Sequence, residues 1–500
     1  MISPWIVLLV IALYFGVLII IARQTSKDST NEDFFIGSRE SPWYVVAFGM
    51  IGASLSGVTF ISVPGWVGDS QFSYLQMAMG YLVGYVVIAY VLMPTYYRLK
   101  LTSIYEYLDQ RFGRSSYKTG AGYFLLSRTI GSAFRLFLVA IVLQQFLMEP
   151  LGLPFWLTVA ISIVLIWVYT SKGGIRTIIW TDTLQTAALL ITMVFTIVTI
   201  IRFFDWSFGD MVAAITESGN SQVFFFENGW TNPHGFWKQF FAGMFITIVM
   251  TGLDQDMMQK NLSIRNIKDA QKNMNTFNVV FFLVIFLFLI LGALLYLYAE
   301  ANDIGIPTRM VGGQEVPTTD LLFPVLAIEY MGPVVGIMFL VGLIAAAYSS
   351  ADSALTALTT SFCIDILDFE KKERTDEKKK QIRRRVHLGV SVLLFFVIQI
   401  FWWINDDAVI SSLFTVAGYT YGPLLGLYAF GFYTRLQIRD RWSPVVCLLA
   451  PVMSYILSTN SEQWLNGYKF GFEILLVNGL ITFIGLWILS IGKNKKPSTN

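Results

Sequence analysis

Apolar stretches long enough to cross a membrane recur thirteen times along this 500-residue chain. Their limits are 4–23, 43–66, 73–97, 119–148, 154–171, 178–203, 238–260, 275–299, 334–367, 386–405, 408–433, 443–459 and 471–491. A helix needs about 20 apolar residues to span the hydrocarbon core. Composition agrees, with 55% hydrophobic and only 14% charged residues; an ordinary soluble domain carries roughly 25% charged residues. A soluble protein could not bury so much apolar surface, because single cores stop growing near about 250–300 residues. Disorder, collagen, a disulfide scaffold and a typical cytosolic enzyme are excluded. Cys363 and Cys447 both lie in apolar stretches and cannot form a disulfide framework. The expected fold class is therefore an all-α polytopic membrane protein of about 13 transmembrane helices, with residues 1–500 forming one transmembrane domain.

The connecting loops alternate in charge. Of the 35 Lys and Arg residues, 29 fall after spans one, three, five, seven, nine and eleven or close the chain, Lys260 being counted among them. Arg202, Lys238, Arg309 and Lys469 fall on the other side, and Arg128 and Arg135 lie inside the fourth span. Basic loops stay in the cytoplasm, so the amino terminus is expected outside and the carboxyl terminus inside, in a multi-pass cell membrane protein. The short loops suggest a bacterial inner membrane. The first span has no basic residue before it and no small-residue cleavage site after it, so it is expected to be a retained helix. The basic run 371–385 reads as a cytoplasmic loop, with a lipid-binding patch as the alternative. The long outer loops, 204–237 and 300–333, are expected to form lids or short surface helices.

Four places break the apolar pattern. The second span carries Gly52, Ser54, Ser56, Gly57, Thr59, Pro64 and Gly65. Such a run suits a helix that unwinds in mid-membrane, where freed carbonyls bind a cation. Close packing through small residues is the alternative. The seventh span ends in Thr251-Gly-Leu-Asp254-Gln-Asp256, which suggests a second broken helix. The two breaks open two five-helix sets, 43–203 and 238–433, that enter the membrane from opposite sides. Opposite entry with equal, odd span number is what an inverted repeat requires; 4–23 and 443–491 are then peripheral.

In the ninth span Ala346, Ser349, Ser350 and Ser353 share one helix face by their spacing, with Asp352 on its flank. Hydroxyls, carbonyls and a carboxylate are hard oxygen ligands suited to a small hard cation. Serine back-bonding to the preceding turn is the alternative. The sixth span holds Asp182 a few residues inside the membrane. An acid there is a functional candidate, or else pairs with a basic residue such as Arg128. Arg128 and Arg135, seven apart, share nearly one face. They form either a clamp for an anionic solute or partners of Asp254 or Asp352.

Four motifs carry a resemblance to a known family. They are Gly-Gly-Ile-(x)4-Trp-Thr-Asp-(x)2-Gln at 173–185 and Ser-Ser-(x)2-Ser at 349–353 with the later Asp365-Ile366. The others are Arg-Leu-Lys-Leu-Thr-Ser-Ile-Tyr-Glu-Tyr-Leu-(x)2-Arg-Phe at 98–112 and Asp-(x)2-Gln-Lys at 256–260. Over roughly 4–491 the chain resembles the sodium:solute symporters, carriers of sugars, proline, sialic acid, pantothenate and iodide. The resemblance implies the leucine-transporter-type fold: two inverted five-helix repeats with broken first helices around a midplane site. It implies a first sodium site of Gly52, Leu55 and Ala346 backbone oxygens with the Ser349 and Ser350 hydroxyls. It also implies a second sodium site of Asp182, Ser349, Asp352 and Ser353. Asp352 departs from the Ser or Thr common in relatives. Substrate contacts would come from Ser54, Ser56, Thr59, Tyr74, Arg135 and Asp254. Arg135 lies one turn from the place of the sialic acid carriers' carboxylate-binding arginine, where Ser132 stands. Phe281 stands where the sugar carriers have a lysine, which turns the expectation from neutral hexoses toward a carboxylate-bearing solute.

The expected function is sodium-coupled symport, importing a small polar solute by alternating access. A proton-coupled carrier of the same fold and a sodium/sugar cotransporter are the alternatives. An enzyme is not expected. The two histidines, His234 and His387, are placed in loops on opposite sides, and no His-Glu-(x)2-His, nucleophile elbow or phosphate loop is present. The expected partners are the small-molecule solute, the sodium ion and the lipid bilayer, not nucleic acid, and one chain is expected to work as a monomer.

Overall fold

A computed structural model describes residues 4–27, 29–227, 231–311, 314–369, 374–404, 415 and 418–492. Among these residues the regular secondary structure is helical except for one small hairpin. Helices stand at each expected span, from Pro4–Thr25 to Ile474–Ser490. The first half of the eleventh span, the carboxyl-terminal lysines and residues 371–373 lie outside the described residues. Among the described residues, eight helices are long and apolar enough to cross a bilayer alone, and two bent pairs are so together. Their lipid side is apolar: Leu9, Leu13, Val164, Ile191, Val279 and Leu448 are exposed, as a solvent of hydrocarbon allows.

The bent pairs are the two expected broken helices. Trp43–Ser54 and Gly57–Ser70 meet at 60°, and Phe236–Gly252 and Gln255–Leu262 at 63°. Each opens a five-helix set, and the two sets pack face to face: Tyr74–Val87 lies along Phe236–Thr247, and Ile175–Phe203 along Gly332–Ser361, while Ile175–Phe203 also packs on Trp43–Ser54 within the first set. Glycines allow this closeness. A β-carbon at Gly80 or Gly243 would collide with backbone of the facing helix, the small-residue packing expected between helices in lipid.

Three outer or boundary features differ from expectation. Loop 204–237 contains a surface helix, Phe208–Glu217, and loop 300–333 contains short helical segments from Thr319 to Tyr330, but these follow an antiparallel hairpin, Thr308–Val311 with Gln314–Pro317, that was not expected. His387 is not in a loop. It is fully buried in helix Asp376–Ile404, between the hydroxyls of Thr170 and Thr359 at 2.9 Å each. Arg383, counted in the basic run, is also fully buried. It stacks 4.3 Å over Phe34 and donates to Asn31 Oδ1. One heptad of a helix that begins in water thus already faces protein.

Candidate functional site

The first break spans Leu55 and Ser56. Leu55 leaves helical geometry at φ −79°, ψ 84°, and Ser56 caps the second half by accepting from the Thr59 amide. The Ser56 amide turns back to the Ser54 carbonyl. These rearrangements strip the normal i→i+4 donors from the carbonyls of Gly52 and Leu55. Neither oxygen receives a hydrogen bond among the described residues. The intervening Ala53 carbonyl accepts from Ser350 Oγ at 3.3 Å. The ninth span therefore lies directly against the break, and Ala346, Ser349 and Ser350 are buried there. On the other side the Gly52 amide donates to Thr186 Oγ1 at 3.0 Å. A β-carbon at Gly52 would collide with that threonine, so glycine is what lets spans two and six touch.

The expected second set also comes together. Asp182 is fully buried, and its Oδ1 accepts from Ser349 at 2.7 Å. Ser353 faces the same carboxylate. Asp352 accepts from the Tyr169 hydroxyl at 2.8 Å, while its Oδ1 and the Ser353 hydroxyl have no hydrogen-bond partner. One member was not foreseen. Lys260 is only 1% exposed, and its Nζ sits 2.7 Å from Asp182 Oδ2. It is a buried counter-charge, not an orientation signal in a loop. Its place in Asp-(x)2-Gln-Lys, on the second half of a broken helix, was the available signal.

The second break is closed by its own side chains. Asp254 was expected among the substrate contacts. Its carboxylate instead caps Gln255–Leu262, accepting from the Asp256 amide at 2.9 Å, and lies 3.5 Å from the Tyr421 hydroxyl. Arg128 pairs with Asp256 and lies 3.8 Å from Asp254. The arginine partners proposed from sequence were thus half right: Arg128 pairs at this break, and Asp182 pairs with Lys260.

Between the breaks lies a cavity of about 180 Å³. Ser54, Ser56, Thr59, Tyr74 and Arg135 line it, as expected, together with Arg128, Tyr81, Tyr85, Thr251 and Phe281. Ser54 Oγ is buried without a partner, and the Tyr74 and Tyr81 hydroxyls pair at 3.0 Å. The two arginines differ. Arg128 is committed to the second break, whereas Arg135 makes no ion pair or hydrogen bond among the described residues. A half-buried guanidinium with free donors, opposite hydroxyls and aromatic rings, is suited to a carboxylate on a small organic solute.

A sequence model described as the sodium:solute symporter family matches residues 34–436. The chain is similar to the sodium/sialic acid symporter NanT of Aliivibrio fischeri, at 26% identity over 90% of this chain and 85% of that one. It is similar also to the sodium/sialic acid symporter SiaT of Proteus mirabilis, at 24% identity over 92% and 90%. A solved structure of a sodium-coupled sialic acid symporter, substrate-bound and outward-open, superposes with a TM-score of 0.83 at 20% identity over 98% of both chains. At that identity the likeness establishes the shared fold.

Proposed function

The chain belongs to the sodium:solute symporter family, a family of sodium-coupled membrane transporters, and we propose that it imports a small carboxylate-bearing solute. The single observation that carries this reading is Arg135, a guanidinium lining the central cavity that makes no ion pair or hydrogen bond among the described residues. The relatives named above carry sialic acid, itself a carboxylate, which points the same way. The protein is a carrier, not an enzyme, and the functional unit is one chain in a lipid bilayer. Its amino terminus lies outside and its carboxyl terminus in the cytoplasm of a bacterial inner membrane. The inverted repeats are 43–203 and 238–433.

In this reading the carbonyls of Gly52, Leu55 and Ala346 and the hydroxyls of Ser349 and Ser350 hold the coupling sodium. Support comes from the freed carbonyls of Gly52 and Leu55 and from Ser350 lying on Ala53. Asp182, Asp352 and Ser353, with Ser349, form a second cation pocket. Ser54, Ser56, Thr59 and Tyr74 contact the solute beside Arg135, with Asp254 acting through the Arg128 cluster. Coupling is linkage: the ion braces the broken helix that also forms the cavity floor, so ion and solute favour one another reciprocally. The test is a thermal-shift screen of the purified chain against sugars, amino acids and organic acids, with sodium or choline as the cation. A ligand bound only with sodium raises the melting temperature only there. Organic acids are expected to score. Stabilisation by neutral sugars alone, or equally in choline, would overturn the reading.

A further inference from the structure

The second cation pocket already contains a cation. The Lys260 ammonium sits 2.7 Å from one oxygen of Asp182, whose other oxygen accepts from Ser349 at the same distance. Both charged groups are removed from water, at 1% and 0% exposure. An ammonium is a compact point charge on a four-carbon stem, so it can reach an ion position from a helix outside it. Lys260 comes from Gln255–Leu262, the inner half of the second broken helix, while Asp182 and Ser349 belong to spans six and nine.

We propose that the Lys260 ammonium occupies the second cation position in place of an ion, so that this carrier couples its solute to a single sodium. The inference rests on the cation pocket assigned above. The occupancy of Asp182 supports it. The pocket and the adjoining first site share Ser349 and hold two buried carboxylates, Asp182 and Asp352. Both oxygens of Asp182, the anchor of the pocket, are already engaged, one by the Lys260 ammonium and one by the Ser349 hydroxyl. A sodium added beside that ammonium would set two like charges together out of water, which is costly. Without Lys260 the buried Asp182 carboxylate would call for an ion in its place.

Equilibrium binding of radioactive sodium to the purified full-length chain, at constant ionic strength with choline as replacement, tests this. The wild type should bind one sodium per chain with a Hill coefficient of one. Lys260→Gln should bind two, and Lys260→Gln with Asp182→Asn should return to one. Lys260→Gln leaves Asp182 buried without its partner and could fail to fold in choline. Its recovery as folded protein in sodium but not in choline then supports the proposal, and equal loss in both salts contradicts it. Two sodium ions on the wild type, or one on folded Lys260→Gln, would overturn it. Ser350→Ala separates the two levels. If it leaves wild-type binding intact, the first-site assignment fails. If it abolishes binding while Lys260→Gln adds no ion, only the present inference fails.

Discussion

The two broken helices bend almost alike, 60° and 63°, yet their chemistry is opposite. At the first break the backbone is left open: among the described residues Gly52 and Leu55 present carbonyls with no donor, while Ser350 of span nine donates to the Ala53 carbonyl between them. At the second break Asp254 caps the new helix and Arg128 is drawn onto Asp256. A kink in mid-membrane must satisfy its freed polar groups somehow. One break leaves two carbonyls open among the described residues; the other is closed with side chains. The shared geometry comes from the inverted repeat, and the difference in function comes from what the sequence places within a turn of each bend.

The largest expected effect breaks the closed side of this comparison. Arg128→Met strands Asp256 and Asp254 in a dry interior and should cost about 3–5 kcal/mol of stability, the usual penalty for removing one member of a buried ion pair. The measurement is melting temperature and folded yield in detergent, and a variant as stable as wild type would show that the second break does not depend on its arginine. Arg135→Met should do the reverse, leaving stability nearly unchanged because Arg135 makes no ion pair or hydrogen bond among the described residues. Its loss should raise KM for the transported acid roughly ten- to hundredfold, since hydrogen bonds to a charged group are worth about 1.5–3 kcal/mol. Uptake into proteoliposomes checks it; an unchanged KM would remove Arg135 from the solute site. The smallest effect concerns the open break itself. Ser56→Ala removes the cap of Gly57–Ser70 and should cost about 1 kcal/mol, visible as a modest drop in melting temperature.

Much of this was legible in the sequence, because lipid leaves few choices. Apolar length gave the spans, and the clusters Gly52–Thr59 and Thr251–Asp256 marked both breaks. Ser349, Ser350, Ser353 and Asp182 could be brought together through their spacing and the family resemblance. What was not legible was pairing between distant segments. Lys260 looked like a loop charge because it stands at the end of the expected span 238–260, and the 63° bend folds it back onto Asp182. Asp254 looked like a solute contact because it is an acid at a break, but an acid in the Ncap position first satisfies the amides beside it. His387 and Arg383 were misplaced for a related reason. A helix starting in the cytoplasm carries polar residues on its protein-facing side before it enters the bilayer, and hydropathy alone cannot tell that side from water.

The central claim is that the first break holds the coupling sodium and the second does not. Sodium binding to the purified chain, measured without solute, tests it most directly on Ser350→Ala at the first break and Tyr421→Phe at the second. Tyr421→Phe removes only the hydroxyl that lies 3.5 Å from Asp254 and keeps the buried ring, so it spares the fold. Ser350→Ala should lose saturable sodium binding in the range where the wild type saturates, and Tyr421→Phe should bind as the wild type does. Undiminished binding by Ser350→Ala would contradict the account, as would loss of binding by Tyr421→Phe alone.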